Sequence, residues 1–188
     1  MNNALILQLR ELVTADMSPK RARHTLAVEQ MAARLSVLYC PEKEQMLRIA
    51  ALLHDVTKEW STERHAAFLE EHGITPTAMD LAAPKTLHAK TAALLIPEQY
   101  SEYADGEVIS AVRYHTTGRE DMTLCEQIVY LADYIDDTRK FPECIFLREM
   151  FWSADIENMR TVLIEAAASV DEELMEKYFE GEDLSADE

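Results

Sequence analysis

The chain has 188 residues, of which 48% are hydrophobic and 28% charged, so it is long enough for one globular domain with its own core. Its formal net charge of −17 argues against binding to nucleic acid or to anionic membranes, since both require a basic surface. Only 4 glycines are present and none lies near another, which excludes the glycine-rich phosphate loops of dinucleotide-binding and P-loop proteins.

The hydrophobic spacing is helical along the chain, and no segment shows the alternation of a strand. Ser18 and Pro19 form the cap and first position of a helix, and Thr123 with Glu126 forms a capping box. The predicted helices lie near residues 5–13, 19–38, 41–56, 62–72, 85–96, 106–115, 124–139 and 155–180. The sequence therefore predicts an all-α fold with short loops.

The terminal sequence and the cysteines bear on location. The N-terminus lacks the basic start of a signal peptide, and no apolar run approaches the roughly 20 residues of a membrane span. The 3 cysteines form no CxxC pair, which disfavours a disulfide framework or a zinc ribbon. We therefore expect a cytoplasmic protein that binds neither membrane nor nucleic acid.

The six histidines are the strongest candidates for chemistry. His54 is followed by Asp55 near the end of an apolar helix, and other candidate ligands lie on separate predicted helices: His24, His88, His115 and Asp133. Imidazole nitrogens and carboxylate oxygens suit a borderline transition metal, and side chains from several helices can converge in a bundle core. His65 and His72 lie on a helix rich in Glu and Arg, so we expect them at the surface.

Five segments carry a resemblance to a known family: RARHTLAV, ALLHDVTK, LHAKTAALL, ISAVRYHTTG and IVYLADYIDDTR. They resemble the YqeK family of bacterial HD-domain hydrolases, which split diadenosine tetraphosphate symmetrically into two ADP. The resemblance spans about residues 18–142. Two positions depart from the family, where Ala89 replaces a common glycine and Asp136-Asp137 replaces a usual Glu-Pro. The resemblance implies a helical HD-domain bundle with a metal site in its core, and we expect this single domain to span residues 1–180. The acidic end of the sequence, GEDLSADE, predicts a flexible tail over residues 181–188.

The resemblance also implies roles for individual residues. The metal ligands are His24, His54, Asp55 and Asp133, and the metal is iron, as one ion or two, with manganese or another divalent transition metal as alternatives. Asp55, His88 and His115 are the catalytic residues. His88 and His115 either bind a second metal bridged by Asp55 or contact phosphate. The expected substrate contacts are Arg21, Lys58 and Arg139 as a phosphate clamp, helped by Val56, Thr57 and Thr116.

The function implied is hydrolysis of a phosphoanhydride bond by metal-activated water. The expected ligand is a dinucleoside polyphosphate or an ADP-like nucleotide, and a homodimer is expected. Three alternatives stay open from the residues alone: a phosphohydrolase for another nucleotide, an HD-type di-iron oxygenase, and a metal-bearing scaffold without activity.

Overall fold

The structure, a computed structural model, describes residues 3–153, and within them it contains α-helices and short 3-10 turns but no strand. The helices are α1 (Asn3–Thr14), α2 (Pro19–Tyr39), α3 (Glu44–Leu53), α4 (Thr62–Glu71), α5 (Ala78–Ala82), α6 (Leu87–Gln99), α7 (Gly106–Tyr114), α8 (Leu124–Ile135) and α9 (Pro142–Ser153). The all-α prediction is confirmed. The predicted last helix and the acidic tail lie outside the described residues, so the predicted division at residue 180 stays a prediction.

Local signals set most helix starts. Ser18 accepts a hydrogen bond from the backbone N–H of Arg21, and Pro19 occupies the first turn of α2. Thr123 and Glu126 form the predicted capping box at the start of α8. These caps supply partners for backbone N–H groups that the first turn leaves unpaired.

Three predicted helix ends are wrong. α3 ends at Leu53 instead of residue 56. α6 continues through Pro97 to Gln99, because the proline falls in the last turn, where its missing N–H removes a single helical bond. The backbone N–H of Tyr100 bonds to the carbonyl of Ile96 and closes that helix. α8 ends at Ile135 instead of residue 139, because Asp136 takes an extended conformation.

α3 is the central helix of the domain. It packs against α1, α2, α7 and α8, and its residues from Ile49 to Leu53 are all buried. Its apolar surroundings bring the His54-Asp55 pair that follows it into the interior. Among the described residues, no helix is both long enough and apolar enough to cross a membrane.

Candidate metal centre

The candidate ligands predicted from separate helices meet at one buried point. His24 lies on α2, His54-Asp55 follows α3, His88 lies in the first turn of α6, His115 follows α7, and Asp133 lies on α8. Each of these six side chains belongs to a residue no more than 8% exposed. Buried charged groups in such number are rare unless they are paired or bind a metal.

His54 belongs to two overlapping groups that could each hold a metal ion. One group is His24, His54 and Asp133, and the other is His54, Asp55 and His115; within each group the ligand atoms lie within 4.8 Å of one another. In the first group, His24 Nε2 lies 2.9 Å from Asp133 Oδ1. Nitrogen and carboxylate ligands from different helices thus surround a common centre.

Asp55 lies between two pairs of histidines. Its Oδ2 atom is 3.1 Å from His54 Nε2 and 3.7 Å from His24 Nε2. Its Oδ1 atom is 3.3 Å from His88 Nε2 and 3.8 Å from His115 Nε2. One carboxylate therefore faces both halves of the site, with one oxygen toward each pair.

Three of the histidines are oriented by backbone carbonyls. In each, Nδ1 lies against the carbonyl oxygen of the residue three positions earlier, at 2.6 Å for His54 and Ala51, 2.7 Å for His88 and Lys85, and 2.6 Å for His115 and Val112. A carbonyl can only accept, so Nδ1 of each ring is the donor in these contacts, and in the neutral ring Nε2 then keeps its lone pair. The Nε2 atoms of all three rings are thus left toward the centre of the site.

The unpaired atoms of the site fit a divalent metal. His24 Nε2 and His54 Nε2 are buried, and within the described part of the chain neither has a hydrogen-bond partner of acceptable geometry. Buried polar atoms without partners are uncommon in folded proteins. A cation bound between these nitrogens and the nearby carboxylates would satisfy them, and the mixed nitrogen and oxygen set suits a transition metal.

The three predicted clamp residues all lie against this site. Arg21 Nη1 donates to Asp55 Oδ2 at 2.5 Å, and Arg139 Nη2 lies 2.5 Å from Asp133 Oδ1. Lys58 Nζ lies 3.4 Å from each ring nitrogen of His88. Three positive charges therefore surround a site in a protein whose overall charge is strongly negative.

The electrostatics favour an ionised carboxylate at Asp55 and neutral imidazoles at His88 and His115. Burial raises the pKa of Asp55, but the nearby His54 and Arg21 outweigh it and hold that pKa well below its usual value. Burial and the Lys58 ammonium lower the pKa of His88 well below its usual value, and burial lowers the pKa of His115 to about 4. Ligands in these protonation states bind metal without first losing protons.

Asp133 and His24 show the effect of their close contact. Burial raises the pKa of Asp133, but Arg139 and then His24 outweigh it and bring that pKa well below its usual value. Burial lowers the pKa of His24, yet the hydrogen bonds to Asp133 and Asp136 raise it overall. Of His24, His88 and His115, His24 is therefore the candidate ligand whose protonation would compete most directly with metal binding.

The predicted helper residues differ in their placement. Thr116 Oγ1 lies 3.0 Å from His88 Nε2 and 2.9 Å from His115 Nε2, within the site. The Thr57 hydroxyl donates to the carbonyl of His88 at 2.9 Å, so it faces α6. The backbone N–H of Val56 bonds to the carbonyl of Leu53. Substrate contacts by these residues stay predictions.

The expectation that His65 lies at the surface is wrong. It is 4% exposed, its Nδ1 lies 2.8 Å from Thr91 Oγ1, and its ring lies beside that of Trp60. α4 packs against α6, and this position on an otherwise polar helix points inward. His72 is half-buried, and its Nε2 lies 2.8 Å from Glu98 Oε1.

One carboxylate near the site was not predicted from the sequence. Asp136 is fully buried, and its Oδ2 lies 3.3 Å from His24 Nδ1. The available signal was its spacing of three residues from Asp133, because a helix predicted to reach residue 139 would place both carboxylates on one face.

The comparisons with known proteins agree with this geometry. The HD domain family matches residues 21–138. A protein of Halalkalibacterium halodurans named "Bis(5'-nucleosyl)-tetraphosphatase, symmetrical" is 33% identical over 142 residues, which is 76% of this chain and 73% of the relative. A Bacillus subtilis protein of the same name is 31% identical over 130 residues, 69% of this chain and 68% of the relative.

A solved structure gives the same result for the fold. It comes from Clostridium acetobutylicum, is described as a predicted HD superfamily hydrolase involved in NAD metabolism, and is 28% identical to this chain. The TM-score is 0.76, with 94% of this chain and 89% of the other covered. This chain belongs to the HD domain family and, within it, to the family of the symmetrical bis(5'-nucleosyl)-tetraphosphatases.

Proposed function

We propose that this protein hydrolyses diadenosine tetraphosphate symmetrically into two ADP. The observation that carries the proposal is the position of Asp55. Its two oxygens face two histidine pairs, and positively charged arginine and lysine side chains lie around them. The names of the relatives support the substrate. A polyphosphate bears many negative charges, so a binding site for it in an acidic protein requires local positive groups.

We propose that His24, His54, Asp55 and Asp133 hold the metal, and that this metal is iron, as one ion or two. A bound divalent transition metal lowers the pKa of a water molecule and polarises a phosphoryl oxygen. The four side chains come from three separate helical segments, so their relative positions depend on the packed core. A packed core holds ligands with little reorganisation when metal and substrate bind.

His88 and His115 act on the reacting phosphoryl group in this proposal, either directly or through a second metal. Their Nε2 atoms lie on the Oδ1 side of Asp55, and the Thr116 hydroxyl lies between them. As largely neutral rings they can accept a proton there, and the hydroxyl can donate a hydrogen bond to a phosphoryl oxygen.

Arg21, Lys58 and Arg139 hold the substrate phosphates. Arginine binds phosphate oxygens through a planar fork of donors, whereas the lysine ammonium acts as a point charge. Arg21 and Arg139 reach the site from α2 and from the segment after α8, and Lys58 from the loop after α3. Charge from three segments suits a ligand with a phosphate chain on both sides of the bond that breaks.

The test is product analysis with the iron-reconstituted protein. Diadenosine tetraphosphate is incubated under anaerobic conditions, and the products are separated by ion-exchange chromatography. ADP alone is the expected product. ATP with AMP would contradict the symmetric cut, and a strict requirement for oxygen would favour the oxygenase alternative. NAD is tested in parallel, because the similar Clostridium structure is described as involved in NAD metabolism.

Two variants distinguish an effect at the proposed site from an effect of the net charge of the protein. D55A is expected to abolish hydrolysis with the fold retained. D137N removes the same type of charge from a side chain that is 73% exposed, and it is expected to keep full activity. Unchanged turnover by D55A would overturn the proposed site.

We also propose a cytoplasmic location and a homodimeric state. The three cysteines are free and buried, which supports a reducing compartment. Light scattering on the purified protein tests the dimer, and a monomer mass would contradict it.

A further inference from the structure

His24 is oriented differently from the other histidines of the site. His54, His88 and His115 lie at helix ends and donate from Nδ1 to a backbone carbonyl. His24 lies inside α2, and its Nδ1 instead faces side chains that follow α8. The orientation of this ring therefore depends on a contact between distant parts of the chain.

Two side chains meet His24 Nδ1. Thr138 Oγ1 lies at 3.2 Å and Asp136 Oδ2 at 3.3 Å. The other oxygen of Asp136, Oδ1, accepts the backbone N–H of Thr138 at 2.7 Å and also its hydroxyl proton. Because the Thr138 proton is used in this way, both Thr138 Oγ1 and Asp136 Oδ2 present acceptors to an N–H of His24.

Asp136 is a buried charge that local structure does not fully satisfy. The residue is fully buried, and Oδ2 has no hydrogen-bond partner of good geometry in the described part of the chain. Arg139 Nε lies 3.6 Å from Oδ2, but this arginine bonds to Asp133 at 2.5 Å. Burying a carboxylate with an incomplete set of partners costs free energy. A hydrogen bond from His24 to Asp136 Oδ2 would offset this cost and explain why the carboxylate is buried here.

The segment that carries Asp136 is held firmly. Arg148 Nε donates to the carbonyl of Ile135 at 2.8 Å, and its Nη2 donates to the carbonyls of Asp136 and, at 3.0 Å, Arg139. One arginine thus fixes three backbone carbonyls around the turn. These bonds hold the backbone that carries Asp136 through contacts that do not involve His24.

We propose that Asp136, supported by Thr138, is a positioning residue that holds His24 with Nδ1–H toward its carboxylate and Nε2 toward the metal. This inference rests on the proposed role of His24 as a metal ligand. Asp136 acts through His24 and contacts neither metal nor substrate. A carboxylate that accepts from the second nitrogen of a ligating histidine fixes its tautomer and raises its basicity.

The test measures metal affinity and does not depend on turnover. The metal-depleted protein is titrated with Co²⁺ in competition with a chelator, and the visible absorption of the bound ion reports its coordination. D136N keeps the size of the side chain and removes its charge, and we expect an affinity about 10–100-fold lower than that of the wild type. D137N removes a neighbouring exposed charge, and we expect it to match the wild type.

H24A separates failure of this inference from failure of the proposed metal site. An H24A protein with wild-type affinity and spectrum would overturn the ligand assignment itself. Weakened binding by H24A, together with equal affinities for D136N and D137N, would overturn only the role of Asp136. Circular dichroism checks that each variant folds. If D136N does not fold, T138V replaces it: reduced affinity supports the inference, and unchanged affinity overturns it.

Discussion

His88 Nε2 lies 3.0 Å from His115 Nε2, and both atoms face the same oxygen of Asp55. Since each ring already donates from Nδ1 to a backbone carbonyl, two lone pairs meet at this point. Two neutral rings hold such an arrangement only around a shared proton, hydroxyl or cation. We therefore expect the two histidines to act as one functional unit, and the Thr116 hydroxyl lies within hydrogen-bond distance of both.

A double-mutant cycle tests this shared role. H88A and H115A are each expected to lower kcat for diadenosine tetraphosphate by about 10²–10⁴-fold, the range for a positioned acid or base. The double variant is expected to be little worse than either single one, because residues that act as a unit are not additive. Losses that multiply would show that the rings act independently. H72A, at the residue that follows α4, is the control and should keep wild-type kcat.

The clamp role of Arg21 can be compared with a neighbour on the same helix. Arg21 bonds to Asp55, whereas Arg23 is exposed two residues further along α2. R21Q is expected to raise KM and to lower kcat, because the guanidinium contacts both the ligand carboxylate and, in our proposal, phosphate. R23Q changes the net charge equally and should leave both constants within about twofold of the wild type, since an exposed charge acts weakly at a distance. Steady-state kinetics at fixed ionic strength measure the difference. Equal effects of the two variants would show that Arg21 acts only through the net charge of the protein and not through a specific contact.

How much of the site could be predicted follows from where its residues lie in the sequence. His54 and Asp55 could be selected because they end an apolar helix. His24, His88, His115 and Asp133 could be selected because their order and spacing on separate predicted helices resemble the HD-domain family. The contact between His24 and the segment that follows α8 could not be predicted. His24 and Thr138 are 114 positions apart, and no local pattern reveals that their segments touch.

Two of the other failures have identifiable causes. His65 was placed at the surface because Glu and Arg dominate its helix, but packing of α4 against α6 decides which positions are buried. The end of α6 was placed before Pro97, because proline usually ends a helix, and the last turn tolerates it here. Tertiary contact and position within a turn overrode composition in both places.

A buried row of hydroxyls connects His65 with the site. Thr91 Oγ1 lies 2.8 Å from His65 Nδ1 and 2.9 Å from Thr57 Oγ1, and Thr57 donates to the carbonyl of His88. T91V keeps the shape of the side chain but leaves polar partners unsatisfied, so we expect it to lower the free energy of unfolding by about 1–3 kcal/mol. T91S keeps the hydroxyl and should recover most of that loss. Urea denaturation measures both, and equal destabilisation by T91V and T91S would show that packing, not hydrogen bonding, is the cause.

Metal binding should stabilise the folded protein. The folded state gathers the four proposed ligands, His24, His54, Asp55 and Asp133, whereas the unfolded chain does not, so the metal binds the folded form preferentially. At a free metal concentration 100 times Kd, the expected gain is about 2.7 kcal/mol. Thermal unfolding with and without a chelator measures it. D133A should lose most of the gain, and an undiminished shift in that variant would contradict the proposed ligand set.

His65 should make the stability of the protein depend on pH. Burial, followed by the charges of Lys58 and Arg64, lowers the pKa of His65 to about 4 from an ordinary value of 6.5. Between these two values the unfolded chain binds a proton that the folded protein does not, so the free energy of unfolding falls as pH falls from 6.5 to 4. The slope from this one group is at most about 1.4 kcal/mol per pH unit. Above pH 6.5 the ring is neutral in both states and contributes no slope.

The H65Q variant tests this pH dependence, because its side chain stays uncharged throughout. The stability of the wild type relative to H65Q should shrink as pH falls from 6.5 to 4, measured by urea titrations of chelator-treated protein. A difference that stays constant from pH 7 to 4 would show that His65 takes up its proton in the folded state.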